Sequence, residues 1–151
     1  MEGMRNMVRR NNCRCNDRNF NRDSGLAPFA ANIRDITLNN NTFRTSIWTG
    51  EHLQITVMCI NVGECIGLEC HSNTDQLIVI EQGNALVQMG DYKNYFDFER
   101  KVCANYLIVI PAGKWHNITN IGNVPIKLYS VYAPPQHPWG TVHNTKKDAE
   151  E

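Results

Sequence analysis

The sequence has no excess of charge of either sign, since lysines and arginines total 15 and aspartates and glutamates also total 15. That balance argues against a basic surface able to recruit a phosphate backbone or an anionic membrane. No apolar run approaches the roughly 20 residues that a spanning helix needs. The N-terminus is polar and arginine-rich where a secretory leader would need an apolar core. Helical periodicity is scarce, no internal repeat is evident, and no glycine-rich phosphate loop is present. These absences lead to the expectation of a soluble, cytoplasmic protein with neither a nucleic acid nor a membrane as partner.

What is present is one domain's worth of core-forming residues, because 151 residues with 42% hydrophobic side chains suit a single cored unit and not two. The six cysteines are Cys13, Cys15, Cys59, Cys65, Cys70 and Cys103. The last four lie in apolar, strand-like segments where cysteine behaves as a small hydrophobe, so reduced thiols are expected. Cys13 and Cys15 form a C-x-C pair, too few ligands for a tetrahedral zinc site.

Composition divides the chain. Residues 1–30 form an Arg/Asn-rich segment, expected to be a disordered tail, with six arginines, six asparagines and three acids between Met1 and Asp23. Such a charge run can serve as an interaction arm. Residues 31–140 read as the folded unit and residues 141–151 as a polar tail or short helix. From Ile33 onward short β-branched and aromatic runs alternate with Asn, Gly and Pro. Strands are expected at Asp35–Leu38, Thr42–Trp48, Leu53–Asn61, Cys65–His71, Gln76–Gln82, Asn84–Met89, Tyr106–Ile110, Trp115–Asn120 and Pro125–Tyr132. The fold class is all-β, a sandwich or barrel.

Chemistry concentrates in the stretch Gly63 to Gln76. Glu69 and His71 are two apart on a predicted strand, so both leave the same face. An acid and an imidazole pointed at one interior spot need a partner or a metal. Gln76 opens the next strand and returns its amide toward His71. A further imidazole comes from Pro111-Ala112-Gly113-Lys114-Trp115-His116, whose Pro-Ala-Gly turn aims His116 inward.

These residues resemble the cupins, small single-domain bacterial members in particular. The family motifs read G-x5-H-x-H-x3,4-E-x6-G and G-x5-P-x-G-x2-H-x3-N. Gly63, His71, Gly83, Pro111, Gly113, His116 and Asn120 fall at that spacing. Glu69 stands where the first histidine is usual, Gln76 where the glutamate is usual, and Asn105 where the second motif's glycine is usual. The two ligand exchanges compensate, leaving the donor set at a net charge of minus one. The resemblance implies a double-stranded β-helix (jelly-roll barrel) holding one divalent metal, Fe, Mn, Zn or Ni, on Glu69, His71, Gln76 and His116. Alternatively Glu69 is not a ligand but a catalytic general base beside the metal.

The resemblance further implies a metal-dependent isomerase or lyase of a small polyoxygenated substrate, a sugar or hydroxy-ketone, as in small cupins described as phosphomannose-isomerase-like. Two other readings remain open: an Fe(II)-dependent dioxygenase of a chelating substrate, and a non-enzymatic binding or structural cupin tethered by its tail. Arg44, Lys114 or Lys127 could neutralise a phosphate. His52, His137 and His143 fall outside both motifs and receive no role, and Trp48, Trp115 and Tyr132 read as barrel packing. A homodimer is expected by analogy, through outer sheet faces or exchange of the segment Ile33–Trp48.

Overall fold

A computed structural model describes residues 22–150. The expected tail at positions 1–21, including Cys13 and Cys15, lies outside the described residues. Among the described residues nine strands form two antiparallel sheets. The larger sheet is built from β1 (Arg44–Thr49), β2 (Gln54–Ile60), β3 (Asp75–Gln82), β6 (Leu107–Ile110), β8 (Ile126–Ala133) and β9 (Val142–His143) in the order β6-β3-β8-β2-β1-β9. The smaller one contains β4 (Ala85–Gly90), β5 (Phe98–Val102) and β7 (Trp115–Asn120) in the order β5-β4-β7.

Period-two patterning creates the interior. Along β3, Gln76, Ile78 and Ile80 are buried between more exposed neighbours, and along β7 His116, Ile118 and Asn120 do the same. Cross-strand register keeps these faces aligned, with Thr56 opposite Ser130, Met58 opposite Leu128, and Val87 opposite Ile118. One half of the interior is apolar, built on Met58, Ile60, Ile78, Ile80, Val87, Ile118 and Leu128. At the other end the inward positions of the large sheet are polar: Arg44, Ser46, Gln54, Thr56, Gln76 and Ser130, all buried, with Tyr132 among them. Burying each Ile or Leu is worth about 2 kcal/mol, so the apolar half supplies stability. The polar half has to be explained by function.

Four expectations need correction. The segment Asp35–Leu38 is not a strand but part of a helix, α1 (Ile33–Asn39), capped by Asn32, whose side chain accepts a hydrogen bond from the Asp35 amide at 3.1 Å. Its Ile36 joins Ile47 and Val57, with Ile33 and Tyr129 packed against them, so α1 covers the outer face of the large sheet. Burial on that face overrides the β-propensity of Ile and Thr. The segment Ile33–Trp48 is therefore half helix, and its helical half packs on its own sheet.

Cys65–His71 is not a continuous strand either. It follows β7 through bridges Cys65 to Thr119 and Glu69 to His116, broken by Gly67 at φ 104°. Residues 22–30 do not belong to a loose tail, because Asp23 is buried and Ser24 donates its amide to the Ile47 carbonyl at 2.9 Å. The barrel also extends past residue 140: β9 pairs with β1, and the short helix expected near the C-terminus is α2 (Lys146–Ala149) with a Thr145–Asp148 capping box.

Besides β9, one further strand was not anticipated. The β5 segment carries Glu99, Arg100 and Lys101, and it pairs only with β4 at the edge of its sheet, where charged side chains discourage further strand pairing. Among the described residues the cysteines Cys59, Cys65, Cys70 and Cys103 are free thiols, though Cys103 is exposed instead of lying within an apolar strand. No described helix is long and apolar enough to cross a membrane.

Candidate metal centre

The polar end of the barrel is assembled by three chain segments. The 65–71 segment is fixed to β7 by reciprocal hydrogen bonds, Glu69 N to His116 O at 3.0 Å and His116 N to Glu69 O at 2.9 Å. These make Glu69 and His116 direct neighbours across the pair. The Pro111–Lys114 turn closes with a Lys114 N to Pro111 O bond of 3.2 Å, and Gly113 occupies the left-handed region at φ 84°. Glycine adopts that conformation without a steric cost. Gly113 N also donates to the His71 carbonyl at 2.8 Å, which ties the turn before His116 to the backbone of His71. Asn105, in place of the usual glycine, likewise has a positive φ of 72°.

The side chains then converge. One donor atom each from Glu69, His71 and His116 lies within 4.8 Å of the other two. Glu69 Oε2 stands 3.4 Å from His71 Nε2 and 3.7 Å from His116 Nε2. His116 is 1% exposed, and its Nδ1 lies 3.0 Å from the Lys114 carbonyl oxygen. A carbonyl can only accept, so Nδ1 carries a proton, which leaves Nε2 as the ring atom that faces the carboxylate. A carboxylate oxygen and an imidazole nitrogen that face each other in a buried site need a cation between them, a proton or a metal ion. Donors around one ion at about 2.0–2.2 Å stand roughly 3–4.5 Å apart, as these do. The backbone contact to Nδ1 is also how metal-binding histidines are commonly oriented.

Gln76 supports the same conclusion. It is 3% exposed at the start of β3, opposite Tyr132, with its Nε2 3.4 Å from Ser130 Oγ and its Oε1 buried without a hydrogen-bond partner. His71 Nε2 and His116 Nε2 are also buried and unsatisfied. Unsatisfied buried polar atoms cost about 1–3 kcal/mol each. Three of them, each able to donate an electron pair, fit a site built to hold a divalent cation.

Glu69 is ionised. Burial pushes its carboxyl up, but the ring nitrogens of His116 and His71 and the charge of Arg44 together hold it well below the usual carboxylate range. Arg44 is 3% exposed, with its Nη2 3.8 Å from Glu69 Oε1.

The Cupin domain family matches residues 56–132, half of the chain, and spans Glu69, His71, Gln76 and His116. The chain is a cupin. This cupin is 56% identical to YrkC of Bacillus subtilis (strain 168) over 128 residues, covering 85% of this chain and 69% of that one. It is 38% identical to protein L612 of Acanthamoeba polyphaga mimivirus, covering 76% of this chain and 70% of that one. Among solved structures it is similar to BH2720 from Bacillus halodurans, at 54% identity and a TM-score of 0.85, covering 85% of this chain and 98% of that one.

The cupin's motif residues outside the donor set do structural work. Asn120 donates to the carbonyls of Ile60 at 3.0 Å and Val124 at 2.9 Å while accepting from Gly122 N at 2.9 Å, which closes the far end of the barrel. Of the three basic residues considered for phosphate, only Arg44 is at the site. Lys114 pairs with Asp91 on the surface, and Lys127 is bound to Asn40 and Asn41.

Two histidines given no role from sequence do stand on the same wall. The Tyr132 ring meets His71 edge-on at 6.0 Å and His137 at 5.2 Å, and His143 Nδ1 is 3.4 Å from Arg44 Nη1. Gln54 holds the His137 backbone, accepting from its amide and donating to its carbonyl, each at 2.9 Å. Burial, then the charge of Arg44, pushes His137 down to about 3, so its ring is neutral. The signal for His137 was weak in sequence, because it arrives through tertiary folding of the Pro-rich segment after β8. A separate cavity of about 380 Å³, lined by Val87, Met89, Phe98, Val102, Ile108 and others, contains none of the four donor residues.

Proposed function

We propose that this cupin is a metal-dependent isomerase or lyase acting on a small polyoxygenated substrate. The observation that carries the reading is the convergence of Glu69 Oε2, His71 Nε2 and His116 Nε2, with the buried, unpartnered Oε1 of Gln76 beside the same wall. Glu69, His71, Gln76 and His116 would hold the ion. A divalent metal bound there supplies Lewis acidity, polarising a carbonyl so that the proton on the neighbouring carbon becomes acidic.

The chain's own residues do the remainder. The Lys114 carbonyl fixes the His116 ring, the Gly113 turn fixes the His71 backbone, and Tyr132 walls the pocket. Of the two roles open to Glu69, ligand fits better than free base, because its Oε2 stands 3.4 Å from His71 Nε2 and 3.7 Å from His116 Nε2, separations that donors around one ion adopt. His137 Nε2, buried and without a partner, is available to exchange a hydrogen bond with a substrate oxygen.

The test uses Mn(II)-loaded protein under nitrogen with a panel of hydroxy-ketones and 2-oxo acids, read by solvent deuterium incorporation next to the carbonyl. Metal-dependent exchange is expected, falling by about 100-fold or more in Glu69→Gln. Iron-dependent O₂ uptake with a chelating substrate would replace this reading with a dioxygenase. Tight ligand binding without any exchange would replace it with a non-enzymatic binding protein.

A further inference from the structure

Arg44 is buried in the barrel interior, with Glu69 and His143 at 3.8 and 3.4 Å from its terminal nitrogens. Its Nε has no partner at all. A guanidinium offers five donors in a planar fork matched to a carboxylate, so this one is left largely unused. Its location is specific: Glu69 is both its nearest carboxylate and one of the candidate metal ligands.

Charge arithmetic makes the consequence plain. Neutral imidazoles at His71 and His116, the neutral amide of Gln76, the Glu69 carboxylate and the Arg44 guanidinium sum to zero. Adding a divalent cation leaves plus two in a largely buried pocket. Neither His137 nor His143 can offset it, since an imidazole is either neutral or positive, and the described residues place no second carboxylate in the cluster. Uncompensated buried charge is costly. A neutral sugar would leave the whole excess in place, whereas an anion that reaches both the metal and Arg44 removes part or all of it.

We propose that Arg44 is the substrate-anchoring residue of this site and that the substrate is a small carboxylic acid with an oxygen on the carbon next to the carboxylate, a 2-hydroxy or 2-oxo acid. The inference rests on the metal-binding reading above and narrows it. The carboxylate accepts from the unused Arg44 donors, and the neighbouring oxygen gives such an acid the second donor that a chelated substrate needs. Arg44 thus sets specificity for charge, with no part in holding the metal.

The experiment compares lactate with lactamide, which has nearly the same shape and no charge, by calorimetric titration into Mn(II)-loaded protein, with inorganic phosphate as a third probe. Lactate is expected to bind at least about tenfold more tightly than lactamide, the equivalent of one charge-assisted hydrogen bond. In Arg44→Gln the preference should fall to within about threefold, while Mn(II) affinity is kept or raised because a positive charge beside the ion has gone. Arg44→Lys, which keeps the charge and loses the fork, should lie between them and guards against misfolding of the Gln variant.

Equal binding of lactate and lactamide by the wild type, or lactate binding unaffected by Arg44→Gln in a folded protein that still takes up Mn(II), would overturn the inference and leave the metal site standing. Phosphate binding more tightly than lactate would overturn the choice of carboxylate. Failure of the wild type to take up Mn(II) or any other divalent ion would overturn the underlying reading and the inference together.

Discussion

Replacing Glu69 with glutamine preserves its shape and removes the one negative charge of the cluster, so the effect on the metal-free protein isolates what that charge does. Arg44 faces Glu69 at 3.8 Å, and at an effective dielectric near 20 this separation corresponds to about 4 kcal/mol of attraction. Glu69 is 27% exposed, so water screens part of it, and the neutral amide no longer needs desolvation. A net loss of about 2 kcal/mol follows, which in a chain of this size lowers Tm by roughly 4–8 °C. Metal acts in the opposite direction. At a free concentration about 100 times Kd, a divalent ion stabilises the wild type by about 2.7 kcal/mol, or roughly 5–11 °C. If the substitution weakens Kd by about 100-fold, the same concentration yields only about 1 °C.

The pH dependence has a definite sign. The Glu69 carboxyl is depressed in the folded state, so its contribution is present above its usual value near 4.5 and is lost progressively as pH falls below that. Differential scanning calorimetry of wild type and Glu69→Gln, with and without Mn(II), between pH 7 and pH 3 reads all three effects. A metal-free variant more stable than wild type at pH 7, with an undiminished metal response, would refute the reasoning, because Arg44 would then not depend on Glu69 and the ion would not either.

Two further outcomes test the frame that positions the site. Asp23 accepts from Gly25 N at 3.0 Å, Ser46 Oγ at 2.6 Å, Thr49 Oγ1 at 2.5 Å and Gly140 N at 3.1 Å. Asp23→Ala should cost about 2–4 kcal/mol in urea denaturation at pH 7. Its carboxyl, raised by burial but lowered further by those bonds, lies below 3.8 in the folded protein, so the difference between variant and wild type should shrink as pH falls below that value. Asn120→Ala leaves the Ile60 and Val124 carbonyls and the Gly122 amide without their partner and should cost about 2–3 kcal/mol by the same assay. Because Asn120 lies at the other end of β7 from His116, metal affinity in the folded variant should be unchanged.

Much of the barrel was legible because its inward faces alternate: Gln76, Ile78 and Ile80 on β3 and His116, Ile118 and Asn120 on β7 carry period-two patterns that a sequence displays directly. Glu69, His71 and His116 could be paired because the Pro111–Gly113 turn and the Glu69-x-His71 spacing are local signals. Elements whose state depends on what covers them were not legible. The α1 segment has strand-forming residues, yet it buries Ile36 on the outer sheet face as a helix. The β5 strand hides its pairing behind three consecutive charges. Arg44 could be named as a basic residue but not placed, because its position inside the barrel follows from its register opposite Met58, itself an inward residue. His137 and His143 reach the wall only when the C-terminal segment folds back to pair β9 with β1.

The metal site is tested most directly by diffraction from crystals soaked in Mn(II), Fe(II), Zn(II) or Ni(II), recorded on either side of each metal's absorption edge. A single anomalous peak bounded by His71 Nε2, His116 Nε2, Glu69 Oε2 and Gln76 Oε1 is expected. No peak among these atoms with any of the four ions, or a peak that persists there in His71→Ala/His116→Ala protein, would contradict it.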